Sequence, residues 1–277
     1  MLGIEPAWLL TLIAALLATG AVAGMTAGLL GLGGGIVIVP VLYYVFALVG
    51  VDEAVRMHCA VGTSLATIIP TGLSSARAHR SHGNLDTGLL RQLAPGVVAG
   101  VSAATAVSYF LTGRGLTIFF AVVALAVAAN MAFNRRGLTL GDQLPAGWMP
   151  RLGLGGIIGS VSALMGIGGG TLSIPILTAF GTPVRRAVGT AAAIGVVISV
   201  PGAIGFAVSG LGTPGRPPLS LGYVNLPGFA CIVPMTVLMA PVGARLAQAT
   251  NPARLRQLFA LFLAMTAARL LVTNLGG

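Results

Sequence analysis

Long apolar runs separated by short polar breaks make up most of this chain. They fall into ten segments, roughly 7–30, 35–49, 54–76, 88–111, 115–133, 152–167, 170–180, 186–209, 227–249 and 255–274. An α-helix needs ~20 predominantly apolar residues to cross the hydrocarbon of a bilayer, and most of these runs approach that length. The pattern predicts an all-α polytopic membrane protein. The runs at 152–167 and 170–180 are together too short for two full crossings, which singles out this pair and its earlier equivalent.

The equivalence comes from an internal repeat. Gly31-Leu32-Gly33-Gly34-Gly35 through Pro40-Val41-Leu42 returns as Gly166-Ile167-Gly168-Gly169-Gly170 through Pro175-Ile176-Leu177, at an offset of 135, which also pairs Gly20 with Gly155 and Gly24 with Gly159. Ala60-Val61-Gly62-Thr63 returns as Ala187-Val188-Gly189-Thr190 at offset 127. Gly83 and Pro95 match Gly222 and Pro234 at offset 139, as Phe120-Ala121 matches Phe259-Ala260. Collinear blocks of this kind divide the chain into a first transmembrane repeat over 1–134, a cytoplasmic linker over 135–151 and a second repeat over 152–277, each with five helical segments. The first pair of each repeat is expected to form a broken or re-entrant hairpin whose Gly-rich turn lies inside the membrane. Such a turn is tolerated where it is buried in protein or lines a cavity.

Arginines choose between the two possible orientations of the repeats. If each repeat makes an odd number of passes, the copies are inverted. One side then collects Arg77, Arg80, Arg91, Arg135, Arg136, Arg151, Arg185, Arg186, Arg254 and Arg256, against Arg56, Arg114 and Arg216 on the other. Parallel repeats would leave the arginines almost evenly divided. The positive-inside rule therefore favours two inverted repeats with both termini periplasmic.

Composition agrees with the pattern. Charged residues are 7% of the chain, against about 25% in a typical soluble domain, while hydrophobic residues are 56% and the mean hydropathy is +0.98. The net charge of +10 comes from arginine alone. Most of it lies between apolar runs, where it sets topology; with no basic stripe interleaved with aromatics, nucleic acid is excluded as a partner. Met1 to Gly24 has Glu5 and no positive n-region, so it reads as a retained segment and not as a signal peptide. Two cysteines, Cys59 and Cys231, rule out a disulfide scaffold and read as small buried hydrophobes.

Candidate chemistry centres on the glycine turns. Gly33, Gly34, Gly35 and Gly168, Gly169, Gly170 permit close backbone approach, and the helix after each turn presents unpaired N–H groups and a positive dipole end, which suits an anion. The competing reading is tight helix packing, which also accounts for the rows Gly20, Gly24, Gly28 and Gly155, Gly159, Ala163. Neither run is a dinucleotide or P-loop motif. Thr63 and Ser64, with Thr190 in the second copy, offer hydroxyl donors that suit oxyanions. Their alternative role is bonding backbone or gluing helices. Thr171 and Ser173 stand where the first copy has Ile36 and Ile38 and would make the site asymmetric. Arg269, with no acid at comparable depth, is either a substrate group or a snorkelling cation. All five acids map to ends or loops, so no buried carboxylate is placed to carry protons; His58 is the one titratable group near a core segment. His79, His82 and Asp86 have metal-like spacing but sit in a basic loop, so neither a metal nor a cofactor is expected. No nucleophile, base and orienting group converge, so an enzyme is not expected.

At the two Gly-x-Gly-Gly-Gly turns with their downstream prolines, and the two Ala-Val-Gly-Thr blocks, the chain resembles the TauE/SafE family of sulfite exporters and sulfur-compound permeases over nearly its whole length. The resemblance implies an integral transporter of the bacterial inner membrane for sulfite, organosulfonates or related small anions, often acting in export. The partners expected are therefore a small anionic substrate and the lipid bilayer; oligomeric state is open, with a homodimer among the options. Membrane potential would drive such an exporter working by alternating access. The alternatives are a carrier or channel for another small organic anion such as a carboxylate, an importer, or a non-transporting scaffold.

Overall fold

A computed structural model describes residues 6–31, 33–133, 140–247 and 252–275. The described residues form ten helices: α1 (Pro6–Leu30), α2 (Gly35–Leu48), α3 (Glu53–Ser81), α4 (Thr87–Ser108), α5 (Gly113–Phe133), α6 (Trp148–Met165), α7 (Gly170–Ala179), α8 (Val184–Ser209), α9 (Leu226–Leu246) and α10 (Pro252–Leu275). Five of them, α1, α3, α5, α8 and α9, are long and apolar enough to cross a membrane. One small antiparallel hairpin, β1 (Ser220–Leu221) with β2 (Val224–Asn225), joins α8 to α9.

Local chemistry sets the helix ends. Asp52 caps α3 by accepting from the Ala54 N–H, Asp86 caps α4 by accepting from Gly88 and Leu89, and Asn225 caps α9 by accepting from Gly228. Each of these side chains satisfies a donor that the helix cannot. Helix α6 stops at Gly166, in the left-handed region at φ 63°, where the Gly166 and Ile167 N–H groups turn back onto the Ala163 and Ser162 carbonyls. Helix α3 runs five residues beyond the apolar run at 54–76, because its polar end still packs: Ser75 donates to the Ala27 carbonyl and His79 Nε2 bonds the Gly28 carbonyl. Helix α6 starts at Trp148, inside the segment read as linker, and 134–139 lie outside the described residues.

Packing follows one rule: exchanging α1–α5 for α6–α10 leaves the set of main contacts unchanged. Helix α1 packs on α9 as α6 packs on α4, and α3 packs on α9 as α8 packs on α4, while α3 meets α8 and α5 meets α10. The small-residue rows carry the first pair. A methyl at Gly20 would meet the Ile232 carbonyl, and one at Gly24 would meet Thr236; at Gly155 and Gly159 the obstacles are Leu93 and Val97, which are the 139-offset counterparts. These glycines exist for backbone contact. The six helix pairs just named all join the two halves of the chain, so the halves interleave, while α2 on α3 and α7 on α8 pack within a half.

Direction can be read from the same contacts. Along α3 and α8, Gly62 lies against Phe206, Leu65 against Gly202, Ile68 near Gly195 and Gly72 against Val196, so these counterpart helices run antiparallel. Helices α1, α3 and α9 run together, from one end of the bundle, labelled outer, to the opposite end, labelled inner, with Thr71 on Thr236 and Gly28 on Ala240.

Candidate functional site

The two glycine turns meet each other. After α1 reaches the inner end, where Gly31 lies against Val188, the chain doubles back through Gly33 (φ 73°) and Gly34 (φ 78°), and α2 starts at the level of Ala23. Only glycine adopts those angles without strain. The second turn mirrors this path, with Gly166 against Val61 of α3 at the outer end. A Cβ on Gly33 would lie 2.8 Å from the Cα of Gly168, and one on Gly35 would run into the Gly166 carbonyl and the Ile167 Cα. In the second turn Gly169 has φ −56°, so close approach to Ile194 and Ile198, and not a left-handed angle, requires glycine there.

The meeting point lies halfway along both long central helices, beside Ser64 and Ile68 of α3 and Ile194 and Ile198 of α8. Helix α2, with 14 residues, runs from that level to the outer end, and α7, with 10, runs from it to the inner end. Both are therefore half-helices, ~21 Å and ~15 Å long. Their N-termini converge on one place. The first intrahelical bonds there are Val37 N–H to Gly34 O, at 3.0 Å, and Ser173 N–H to Gly169 O, at 2.8 Å. The N–H groups of Gly35, Ile36, Gly170 and Thr171 precede them and lack helical partners.

Buried hydroxyl side chains lie on the helices that lead into and out of these turns. Ser64 Oγ donates to the Gly166 carbonyl at 2.7 Å and ties α3 to the second turn. Ser173, in the first turn of α7, and Ser162, in the last turn of α6, are fully buried, and neither Oγ has a hydrogen-bond partner. Thr171, in the same first turn of α7 as Ser173, is buried too. Ile36, Ile38, Ile68, Ile194 and Ile198 complete an apolar shell. Uncharged donors at two positive helix ends in a dry shell can hold a small oxyanion. Sequence reasoning missed Ser162; its 135-offset counterpart is Ala27, so the comparison that singled out Thr171 and Ser173 holds its signal too.

Other candidates lie elsewhere. Thr63 Oγ1 accepts the Asn225 N–H at 2.9 Å, and Thr190 Oγ1 accepts the Asp86 N–H at 3.0 Å. The recurring threonine thus pins the N-cap residue of the fourth helix in each half. Arg269 places its guanidinium 4.8 Å from the ring centroid of Tyr44, on α2 and well beyond the glycine turn. His58 Nε2 bonds the Ser108 carbonyl and its ring lies 4.9 Å from Tyr223, near the outer end of α3, with Nδ1 buried and unpartnered. His79, His82 and Asp86 do not converge: they bond the Gly28 carbonyl, the Ala78 carbonyl and the Arg186 guanidinium respectively. Cys59 is buried and Cys231 half-buried, both unpaired.

Comparison with known proteins bears on this arrangement. The family model described as "Sulfite exporter TauE/SafE" matches residues 16–270. A "probable membrane transporter protein" of Haemophilus influenzae is 36% identical over 260 residues, covering 93% of this chain and 97% of its own length. Another so named, from Methanocaldococcus jannaschii, is 28% identical over 250 residues, covering 89% and 91%. A third, YunE of Bacillus subtilis, is 27% identical over 215 residues, covering 70% and 78%. No solved structure matches the chain.

Proposed function

Because the chain belongs to the TauE/SafE sulfite exporter family and is a multi-pass membrane transporter, we propose that it exports sulfite or an organosulfonate by alternating access around the paired glycine turns. The observation that carries this reading is the convergence of two half-helix N-termini, from opposite halves, at mid-height between α3 and α8. A sulfonate or sulfite presents several acceptor oxygens and one or two negative charges. Backbone N–H groups and the Ser173 hydroxyl would each donate to it, with no fixed cation to trap it. The turns are closed on one another, so each transport step parts them toward one face while the other stays sealed.

The repeats are inverted in this reading. Support comes from the antiparallel course of α3 and α8 and from the arginines, which cluster at the inner end. The inner end is then cytoplasmic, the membrane is the bacterial inner membrane, and both termini are periplasmic. A potential negative inside favours efflux of an anion by ~2.3 kcal/mol per charge per 100 mV, so export needs no buried proton carrier.

Purified protein in liposomes provides the test, with flux of sulfite, a panel of sulfonates and a panel of carboxylates measured under potentials of either sign. Selective sulfite or sulfonate flux that follows the potential and falls in Ser173→Ala is the expected result. Flux indifferent to the sign of the potential yet coupled to a pH gradient would overturn the mechanism, and preference for carboxylates would overturn the substrate.

A further inference from the structure

A cavity of about 620 Å³ lies between the inner halves of α3 and α9 and plays no part in the site above. Its deep end is laced shut, since Thr71 donates to Thr236 at 2.6 Å and Ser74 to the Val237 carbonyl at 3.0 Å. It is therefore a dead end, without a route to the glycine turns. Its floor is apolar, with Leu73 and Pro241, and its inner rim carries Arg77, Arg245 and His82. Beside it Leu73, Leu238 and Val242 are 39%, 62% and 37% exposed, an apolar surface facing sideways out of the helix bundle.

Both arginines are exposed and have no carboxylate partner among the described residues. Asp52 and Glu53 are at the outer end, Asp86 pairs with Arg186, and Asp142 lines a different cavity. The repeat supplies an internal comparison. In the equivalent groove between α8 and α4, Ile204 stands for Arg77, Ala106 for Arg245, Ser209 for His82 and Val200 for Leu73. One groove of the pair carries no charged side chain at these positions, while the other has an apolar floor and two uncompensated cations at its mouth.

We propose that this groove binds one anionic phospholipid, its phosphate held by Arg77 and Arg245 and its acyl chains lying along Leu73 and the exposed face of α9. A cationic rim over an apolar, sideways-open floor is complementary to an anionic amphiphile and to neither half of it alone. In the topology proposed above the lipid belongs to the cytoplasmic leaflet, but the binding site itself does not depend on that topology or on the substrate.

Native mass spectrometry of the detergent-purified protein tests this, titrating phosphatidylglycerol, phosphatidylcholine and inorganic phosphate. One phosphatidylglycerol should bind roughly ten- to thirtyfold more tightly than phosphatidylcholine, as two nearby arginines imply. That preference should vanish in Arg77→Gln/Arg245→Gln and persist in Arg114→Gln, which removes an exposed arginine at the outer end. Thermal unfolding of each variant confirms that it is folded. An unchanged preference in the folded double variant would overturn the proposal, and so would equal binding of the two lipids by the unaltered protein. Inorganic phosphate displacing phosphatidylglycerol at equal concentration would mark the groove as a free-oxyanion site and overturn the lipid assignment.

Discussion

Single side chains in this protein divide into those that hold helices and those that have nothing to hold. Thr63 and Thr190 belong to the first group. Thr63→Ala leaves the buried Asn225 N–H unpaired, which should destabilise the protein by ~1–3 kcal/mol, read as a lower unfolding temperature in detergent, while Thr63→Ser keeps it. Ser173 belongs to the second group. A buried hydroxyl without a partner is a cost in the closed state, so Ser173→Ala should raise stability by ~1 kcal/mol while weakening substrate binding about tenfold, the loss of one donor to a charged group. Lower stability together with unchanged transport would mean that Ser173 is ordinary core. Gly33→Ala combines a left-handed angle with a collision on Gly168 and should lose folded protein. Gly195→Ala, whose added methyl would make only ordinary contacts, should be tolerated. The recurrence of Thr63 and Thr190 was visible in the sequence, but its meaning was not: the partner N–H groups of Asn225 and Asp86 lie 162 and 104 residues away, and backbone donors have no sequence signature.

At the level of elements, apolar run length located every helix, and the shortness of 170–180 correctly marked α7 as less than a full crossing. Two things escaped it. Helix α3 continues past its apolar run because Ser75 and His79 bond α1, a tertiary effect that hydropathy does not carry. Nor does hydropathy report that the glycine turns touch, since that contact depends on how α3 and α8 cross. The antiparallel crossing makes its own prediction. Ile68→Cys with Gly195→Cys, in a protein whose Cys59 and Cys231 are replaced, should form a disulfide on mild oxidation and arrest transport reversibly, because parting the turns requires α3 and α8 to move against each other. Crosslinking that leaves flux intact would place the motion elsewhere.

Over the whole molecule, the contacts that matter cross between halves. Expressing 1–134 and 135–277 as separate chains should therefore yield no stable protein from either alone, and an assembled, extractable complex when both are present. A half that resists proteolysis by itself would contradict the interleaved core. Sidedness is tested separately: a membrane-impermeant thiol reagent should reach Thr112→Cys from outside intact cells and Ser81→Cys only after lysis, since these exposed positions lie at opposite ends of the bundle. That expectation comes from the arginines, as a charge asymmetry needs only the order of segments and not their packing.

The contact between Gly33 and Gly168 joins two residues that are each other's repeat counterparts. In a dimer of identical five-helix units this would be one residue meeting itself, and any side chain added there would clash twice. Glycine is the one residue such a duplex could use. Once the units are joined in a single chain the two positions can differ, and so can everything around them. Ser162, Thr171 and Ser173 in the second half, where the first half has Ala27, Ile36 and Ile38, are a polarity that a symmetric pair of subunits could never have acquired.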